Sequence, residues 1–230
     1  MLQTRTIKHR LRDKHAAELT RQASAVNFVW NYCNGAQKHV RRWDRWLSSV
    51  DLQRMTAGVS KELNIHSQTV QNVCKQYVKS RVQHKKPWLR WRGRTSLGWI
   101  PFNTGVTFDG EAFTFRGVRY EPMHLRKGIE YPTSCTGGCF SQDAHGRWYI
   151  NIVVEVPIAD QAPVSRVGID LGLKALATLS DGGEIAIPQF YRNSEVTLAT
   201  TQRARKTRRI RNIHARIANR RKDFLHKKSA

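Results

Sequence analysis

Apolar residues recur at steps of three and four in two segments of the first third of the chain, as on a buried helix face. The first segment carries Ala16, Leu19, Ala23, Val26, Trp30 and Cys33, and the second carries Val70, Val73, Cys74, Tyr77 and Val78. The spacing predicts helices over about 13–34 and from residue 67, with further helical patterning over about 51–63. Asn34-Gly35 is a typical helix stop, and Ser67 is a suitable N-cap.

On both sides of this helical region the apolar pattern has a period of two, as in half-buried strands. Thr4–Leu11 alternates weakly and predicts an opening strand. After Pro87, VTFDGEAFTFRGVRY predicts a hairpin that turns at Asp109-Gly110. CFSQDAHGRWYINIVVEV predicts a second hairpin, with its turn at 143–146.

The third part of the chain begins at Val164, after a short linker, PIADQAP (157–163). Its pattern predicts a strand, a turn at Asp181–Gly183, a second strand and a helix from about Glu195. Taken together, the patterns predict an α+β protein in which a helical segment is inserted behind the first strand.

Charge indicates the class of partner. The 230-residue chain has 40 Lys and Arg against 17 Asp and Glu, a formal net charge of +23, while 40% hydrophobic residues and seven tryptophans support a folded core. Such an excess of cations repels itself unless a polyanion neutralises it. Nucleic acid is the expected polyanion because Lys and Arg displace its condensed counterions. An anionic membrane surface is the rival partner, and only the last helix is suited to it.

The chain contains neither an apolar run of about 18–20 residues nor an N-terminal secretory signal, so we expect a cytoplasmic protein with no membrane partner. The cysteines agree with a reducing compartment. Cys33 and Cys74 fall on apolar faces of predicted helices. Cys135 and Cys139 have a C-x3-C spacing without a second Cys or His pair, so we expect neither a zinc site nor a structural disulfide.

Three segments concentrate the positive charge, and each is a candidate nucleic-acid surface. The first interleaves Arg41, Arg42 and Arg45 with Trp43 and Trp46. The second, 85–99, interleaves Lys85, Lys86, Arg90, Arg92 and Arg94 with Trp88, Trp91 and Trp99. Cations beside aromatic rings suit phosphate contacts combined with base stacking. The tryptophans are equally suited to packing inside the β domain, and both interpretations stay open.

The third basic segment is a predicted helix over 203–222, with Ile210, Ile213, Ile217 and Phe224 as its packing stripe. Its cations are Arg203, Arg205, Lys206, Arg208, Arg209, Arg211, Arg216, Arg220, Arg221 and Lys222. Residues 196–230 hold 12 Lys and Arg against one acid, Asp223, so i,i+4 ion pairs are scarce. We interpret the run as a phosphate-neutralising surface, and composition does not distinguish RNA from DNA.

Asp170 is the strongest candidate for chemistry. In the segment VGIDLG, alternation places Gly168, Asp170 and Gly172 on one face of a strand. A carboxylate on an apolar strand is unfavourable unless it meets a cation or solvent, and flanking glycines leave room for a phosphate or metal ion to approach. The alternative is a strand-end Asp that accepts backbone hydrogen bonds.

The sequence also resembles a known family. GIDLGLKALATLSDGG (168–183) is similar to the first RuvC motif of the transposon-encoded OrfB/TnpB proteins, which are insertion-sequence transposases and RNA-guided RuvC-like nucleases related to type V CRISPR effectors. Further similar segments follow the family's order along nearly the whole chain. They are FVWNYCN (28–34), SQTVQNVCKQYVKS (67–80), KKPWLRWRGRTSLGWIPF (85–102), GRWYINIVVEV (146–156) and HARIANRRKDFLHKKS (214–229).

The resemblance implies an OB-like, wedge-like β-barrel with a helical recognition insert, followed by an RNase H-like (RuvC) α/β domain and a long basic helix. On that basis the barrel spans 1–12 and 86–160, the insert spans 13–85, and the first part of the RuvC-like domain spans 164–230. The resemblance also implies guide RNA and DNA as partners, a role in transposition and DNA recombination, and a bacterial, nucleoid-associated location. Mg²⁺ would be the cofactor, with Asp170 as the first of three carboxylates.

The sequence departs from the family on its C-terminal side. The family's catalytic Glu, a four-cysteine zinc element and the last Asp follow the basic helix, and this sequence contains none of them. Glu184 and Glu195 are poor substitutes, because we expect Glu184 to face solvent and Glu195 to favour a helix N-terminus. We therefore expect an incomplete nuclease site.

Three hypotheses follow. The leading one is the N-terminal portion of a TnpB-like protein, truncated before the later RuvC motifs, which binds guide RNA and target DNA. The second is a non-catalytic RNA-guided DNA-binding or repressor module. The third is a degenerate transposase remnant that folds poorly, because missing strands leave a sheet edge unpaired. The oligomeric state does not follow from the sequence.

Overall fold

The computed structural model describes residues 2–126, 128–157 and 167–229. The chain divides into two compact units, an N-terminal unit, Met1–Ala159, and a C-terminal unit, Asp160–Ala230. Most of the predicted linker over 157–163, and the predicted start of the third part at Val164, lie outside the described residues.

The N-terminal unit begins with a strand, continues with helices and ends with further strands. Its helices are α1 (Ala16–Val40), α2 (Ser49–Met55), α3 (Val59–Glu62) and α4 (Ser67–Gln83), with 3₁₀ turns at Asp13–His15 and Arg41–Trp43. Its strands are β1 (Leu2–Arg10), β2 (Trp99–Phe102), β3 (Val106–Phe108), β4 (Phe113–Phe115), β5 (Val118–Tyr120), β6 (Ser134–Cys135), β7 (Gly138–Gln142) and β8 (Trp148–Pro157). Helices beside antiparallel sheets confirm the α+β class.

The predicted stop of the first helix at Asn34-Gly35 is wrong. Helix α1 runs without a break to Val40. The reason is that the Asn34 side chain is fully buried and bonds to Leu89 and Tyr77, so it does not cap the helix end. Cys33, on the same helix, lies where predicted, buried against Cys74 of α4 with the two Sγ atoms 3.8 Å apart.

Two details of the helical region also differ from the prediction. The pattern over 51–63 is divided into α2 and α3, because Gly58 between them has a left-handed φ of 87°. The N-cap of α4 is His66 rather than Ser67, since the His66 Nδ1 accepts a hydrogen bond from the Gln68 backbone N–H at 3.2 Å.

The strands of this unit form two antiparallel sheets. The first has the order β1-β8-β7-β2 and the second has the order β5-β4-β3-β6. Both predicted hairpins are confirmed, because β3 pairs with β4 around Asp109 and β7 pairs with β8 around Asp143. Within residues 2–126 and 128–157 both sheets are open, and no ladder of hydrogen bonds closes them into one barrel.

An aromatic core lies between the two sheets. Phe140 of β7 packs on Tyr120 of β5 and on Phe115 of β4, with ring centroids 5.0 and 5.7 Å apart. Phe102 of β2 lies 5.9 Å from Phe115. All four rings are essentially inaccessible to solvent. Burial of large aromatic side chains is a major stabilising contribution, so this core holds the sheets together.

The C-terminal unit contains a small sheet followed by two helices. Strands β9 (Ile169–Asp170), β10 (Ala175–Leu179) and β11 (Glu184–Ala186) are antiparallel in the order β11-β10-β9. The turn predicted at Asp181–Gly183 is confirmed, and Asp181 Oδ1 accepts from the Gly183 backbone N–H at 3.0 Å.

The prediction of one helix over 203–222 is wrong. Helix α5 (Arg192–Arg203) ends in a turn at residues 204–206, and α6 (Thr207–Lys228) begins after it. Arg205 in the turn has a left-handed φ of 52°. Phe190, just before α5, lies 6.0 Å from Phe224 near the end of α6, so the two helices form an antiparallel hairpin that buries Leu198 and Ile217.

Candidate nucleic-acid interface

Asparagines of α1 hold the segment 89–92 against that helix. The Asn34 Nδ2 donates to the Leu89 carbonyl, and its Oδ1 accepts from the Leu89 backbone N–H, both at 2.8 Å. Asn31 makes the same pair of contacts with the backbone of Arg92, at 2.7 and 2.8 Å. We call residues 89–92 the clamped segment, because two side-chain amides of α1 supply hydrogen-bond partners for its backbone N–H and C=O groups at both ends.

Helix geometry explains the clamp. Asn27, Asn31 and Asn34 are spaced by four and three residues, so they lie on one face of α1. Trp30 lies beside them and donates its Nε1–H to the Arg90 carbonyl at 3.3 Å. Because each buried hydrogen bond contributes about 1 kcal/mol net, the set fixes the position of the basic aromatic segment.

Arg92, predicted as a nucleic-acid contact, has its guanidinium bonded within the protein. Its Nε donates to Asn27 Oδ1 at 2.6 Å and its Nη2 donates to the Leu97 carbonyl at 2.8 Å. The group also lies 5.6 Å from the ring centroid of Trp30. Burial lowers the pKa of Arg92 from its ordinary value. This side chain therefore shapes the loop.

The other cations of the second basic segment face solvent. Lys85, Lys86, Arg90 and Arg94 are exposed, and in the described part of the chain none has a carboxylate within 4 Å. They are free to contact phosphates.

The three tryptophans of this segment differ in exposure, which bears on the two interpretations left open for them. Trp99 is half-buried in β2, whereas Trp88 and Trp91 are 43% and 50% exposed. The last two present ring surface beside the free cations.

One cation of the first basic segment forms an ion pair within the segment. Arg41 forms an ion pair with Asp44 at 2.5 Å and lies over the Trp46 ring, 4.3 Å from its centroid. Arg42 and Arg45 are exposed, and among the described residues neither has a carboxylate within 4 Å.

Arg81 is a structural cation that the sequence interpretation missed. It is 4% exposed, donates to Gln37 and to the Leu47 carbonyl (2.8 Å), and lies 5.0 Å from the Trp46 ring centroid. Burial lowers its pKa from the ordinary value. A signal was present, because Arg81 continues the four-residue step from Tyr77 on the apolar face of α4.

The third basic segment is exposed along both helices. Arg203 ends α5, Arg205 and Lys206 lie in the turn, and Arg208, Arg209, Arg220 and Arg221 lie on α6. Five residues around the turn, all but one of them cationic, join Asn212 in lining a shallow cleft of about 380 Å³; these are Arg205, Lys206, Thr207, Arg208 and Arg209. The ion pair described on α6 joins Lys227 to Asp223 at 2.9 Å.

Asp170 lies at the exposed edge of the small sheet. It is in β9, opposite Thr178 of β10, and within residues 167–229 its carboxylate has no hydrogen-bond donor. An added Cβ at Gly168 would lie 3.4 Å from the Ser180 Cβ, and one at Gly172 would lie 3.2 Å from the Ala175 carbonyl oxygen, so atoms of the protein itself lie close to both glycines. The carboxylate is open to a ligand from solvent.

The described residues contain no group of three or more His, Cys, Asp or Glu side chains placed to hold a metal ion. Mg²⁺ needs near-octahedral oxygen coordination, usually with one or two carboxylates and several waters. A two-metal site needs several carboxylates, and Asp170 is one. The ligand set described here therefore does not fit a two-metal site, and we assign no hydrolytic step to it.

Comparison with known proteins gives a family match for the C-terminal part of the chain. Residues 149–230 match the family OrfB_IS605, described as "Probable transposase". Over this segment the chain is similar to the transposon-encoded OrfB/TnpB proteins. Among the described residues, no helix has the length and apolarity needed to cross a membrane.

Two curated relatives carry the similarity along the chain. Over 94% of its length the chain is 28% identical to a Streptomyces pristinaespiralis protein named "Putative RNA-guided DNA endonuclease", of which it covers 60%. Over 91% of its length it is 25% identical to the Escherichia coli (strain K12) protein named "Putative RNA-guided DNA endonuclease InsQ", of which it covers 58%. The chain thus spans about three fifths of the length of these relatives.

Proposed function

We propose that this chain binds a guide RNA and target DNA within an RNA-guided DNA recognition system of bacterial transposons. The observation that carries the proposal is the exposure of three cationic segments that have few carboxylate partners. Phosphate is the anion that such surfaces bind, with affinity from counterion release. The names of the relatives support RNA and DNA as the two partners.

We also assign the two units to the family's domains. The N-terminal sheets with their shared aromatic core are proposed as an open, OB-like β domain, and residues 13–85 as its helical recognition insert. Residues 167–229 are proposed as the first part of a RuvC-like domain. An antiparallel sheet with Asp170 on its edge strand, followed by basic helices, supports that assignment.

Asp170 is proposed as one carboxylate ligand of a Mg²⁺ site. Its solvent-open position on the edge strand supports this role. Further carboxylates would have to join it, because two-metal hydrolysis requires ligands for both ions.

A second candidate function is a non-catalytic RNA-guided DNA-binding module. The observation that favours it is the lone position of Asp170 among the described residues. The two candidates share the binding surfaces and differ in cutting. Incubation of the RNA-bound protein with target DNA and Mg²⁺ separates them, since only the first candidate gives cleavage that Asp170→Asn abolishes.

Binding itself is tested by expressing the chain together with the DNA that flanks its gene, purifying it and sequencing the bound RNA. We expect one RNA species that maps to the end of the element, retained by both the natural chain and Asp170→Asn. Heterogeneous RNA, or protein free of RNA, would contradict the proposal.

A further inference from the structure

The clamped segment forms one wall of a cleft of about 620 Å³ in the N-terminal unit. Trp30 and Leu89, both more than nine-tenths buried, give the cleft an apolar base. Trp91, half-exposed, stands at its edge. The volume falls in the range of roughly 300–1,000 Å³ typical of small-ligand clefts.

The rim of this cleft is cationic. Lys86 and Arg90 line it and are exposed, and no lining residue is acidic. Ser80 of α4 also lines the cleft and adds a hydroxyl group. An aromatic base with a cationic rim complements a ligand that has a flat apolar part and a negatively charged part.

Hydrogen bonds within the protein hold the wall of the cleft in place. The two asparagine pairs fix Leu89 and Arg92, and Arg92 in turn bonds to the Leu97 carbonyl at 2.8 Å. The Ser96 Oγ accepts from the Gly93 backbone N–H at 3.0 Å, which folds the intervening loop. A preformed wall avoids the entropy cost of ordering on binding, as expected of a binding site.

We propose that this cleft takes a single unpaired nucleotide of a bound strand. The base would lie against Trp30 and Leu89 with Trp91 at its edge, and its phosphate would lie at Lys86 and Arg90. A base paired within a duplex cannot enter such a cleft without leaving the stack, so the site selects unpaired nucleotides. The inference rests on the proposed function and deepens it, because it names which part of the nucleic acid this surface contacts.

The test fills the cleft without changing charge. Ser80→Trp places an indole in it, and Gln71→Trp places the same side chain on an exposed position of α4 outside the lining. Both variants of the 230-residue chain are compared with the natural chain by thermal unfolding. Trp91→Ala probes the same wall by removing volume, with Phe28→Ala as its control at an exposed aromatic residue of α1 outside the cleft lining.

Binding is measured with a short oligothymidylate and with an abasic strand that has the same length and the same phosphates. The ratio of the two affinities isolates the bases from the electrostatic contribution, which all basic surfaces share. We expect the natural chain and Gln71→Trp to bind the base-containing strand about tenfold more tightly. Ser80→Trp and Trp91→Ala should lose most of this preference, while Phe28→Ala should keep it.

The outcomes separate the two proposals. If the natural chain prefers the base-containing strand and both cleft variants retain that preference, the nucleotide cleft is wrong and nucleic-acid binding stands. If the natural chain binds both strands equally, the proposal that the cleft takes a nucleotide is also wrong. If it binds neither strand, the proposed function fails as well. Repeating the series with oligouridylate shows whether the nucleotide belongs to RNA, to DNA or to either.

Discussion

Asn34 joins three parts of the N-terminal unit through one side chain. It is fully buried in α1, bonds twice to the backbone of Leu89, and accepts from the Tyr77 hydroxyl of α4 at 3.0 Å. Both polar atoms of the amide have hydrogen-bond partners, and these bonds compensate for the cost of removing the amide from water.

Asn34→Ala is expected to lower the free energy of unfolding by about 3 kcal/mol. The substitution leaves the Leu89 N–H, the Leu89 carbonyl and the Tyr77 hydroxyl buried without a partner, at about 1–3 kcal/mol for each unsatisfied group. The better helix propensity of Ala offsets less than about 1 kcal/mol of this. Urea unfolding of the variant measures the change.

The matched control is Asn219→Ala, at an exposed position of α6, which should shift stability by less than about 0.5 kcal/mol. If Asn34→Ala changes stability as little as this control does, the clamp does not hold the basic segment.

Arg81 and Arg92 show that residue type alone does not determine whether a cationic side chain faces solvent or the protein interior. Both belong to basic stretches, and both turn their guanidinium groups inward to amide and carbonyl oxygens. Arg90, two residues from Arg92, remains exposed. Composition predicts that cations bind phosphate, whereas their orientation depends on partners that include Leu47 for Arg81 and Asn27 for Arg92, 34 and 65 residues away in the chain.

At the level of elements, the α5–α6 turn concentrates charge that a single helix would spread along its length. The reversal brings Arg205, Lys206, Arg208 and Arg209 around one shallow cleft. Apolar packing explains the reversal, because the hairpin buries Leu198 and Ile217, whereas a straight helix would leave both stripes in water.

Replacing Arg208 and Arg209 together by Gln is expected to weaken binding to a short DNA duplex and to flatten its salt dependence. Each lost phosphate contact reduces the slope of log K against log salt by about 0.9. Fluorescence anisotropy across a salt series measures this slope.

Lys227→Gln is the control on the same helix, because Lys227 is paired with Asp223 at 2.9 Å and should change the slope less. A double variant whose slope equals that of the natural chain would show that the turn does not contact phosphate.

At the scale of the whole molecule, the two units differ in how much core they bury. The N-terminal unit has the aromatic layer and a nine-residue β1–β8 pairing. In the described C-terminal unit the buried hydrophobic residues are Ala177, Leu198 and Ile217, while Ile169, Leu171 and Leu173 are exposed. Since apolar burial is the main stabilising contribution, the C-terminal unit should open more readily.

Hydrogen exchange is expected to reflect this difference. Amides of β10 should exchange at least about tenfold faster than those of β8 after correction for intrinsic rates, because local opening follows local packing. Mass spectrometry of peptides from the intact chain measures both strands in one sample. Equal protection of the two strands would mean that the units open together.

The sequence by itself determined the types of element and the two hairpins, and it is the basis on which we propose nucleic acid as the partner. These follow from local periodicity, turn residues and net charge, which need no knowledge of distant contacts. Only the tertiary structure decided that α1 passes its stop signal at Asn34, that the basic helix reverses after Arg203, and that Arg92 faces inward. Helix continuation and cation orientation depend on burial, and burial is set by segments about 55–61 residues apart that meet only in the fold.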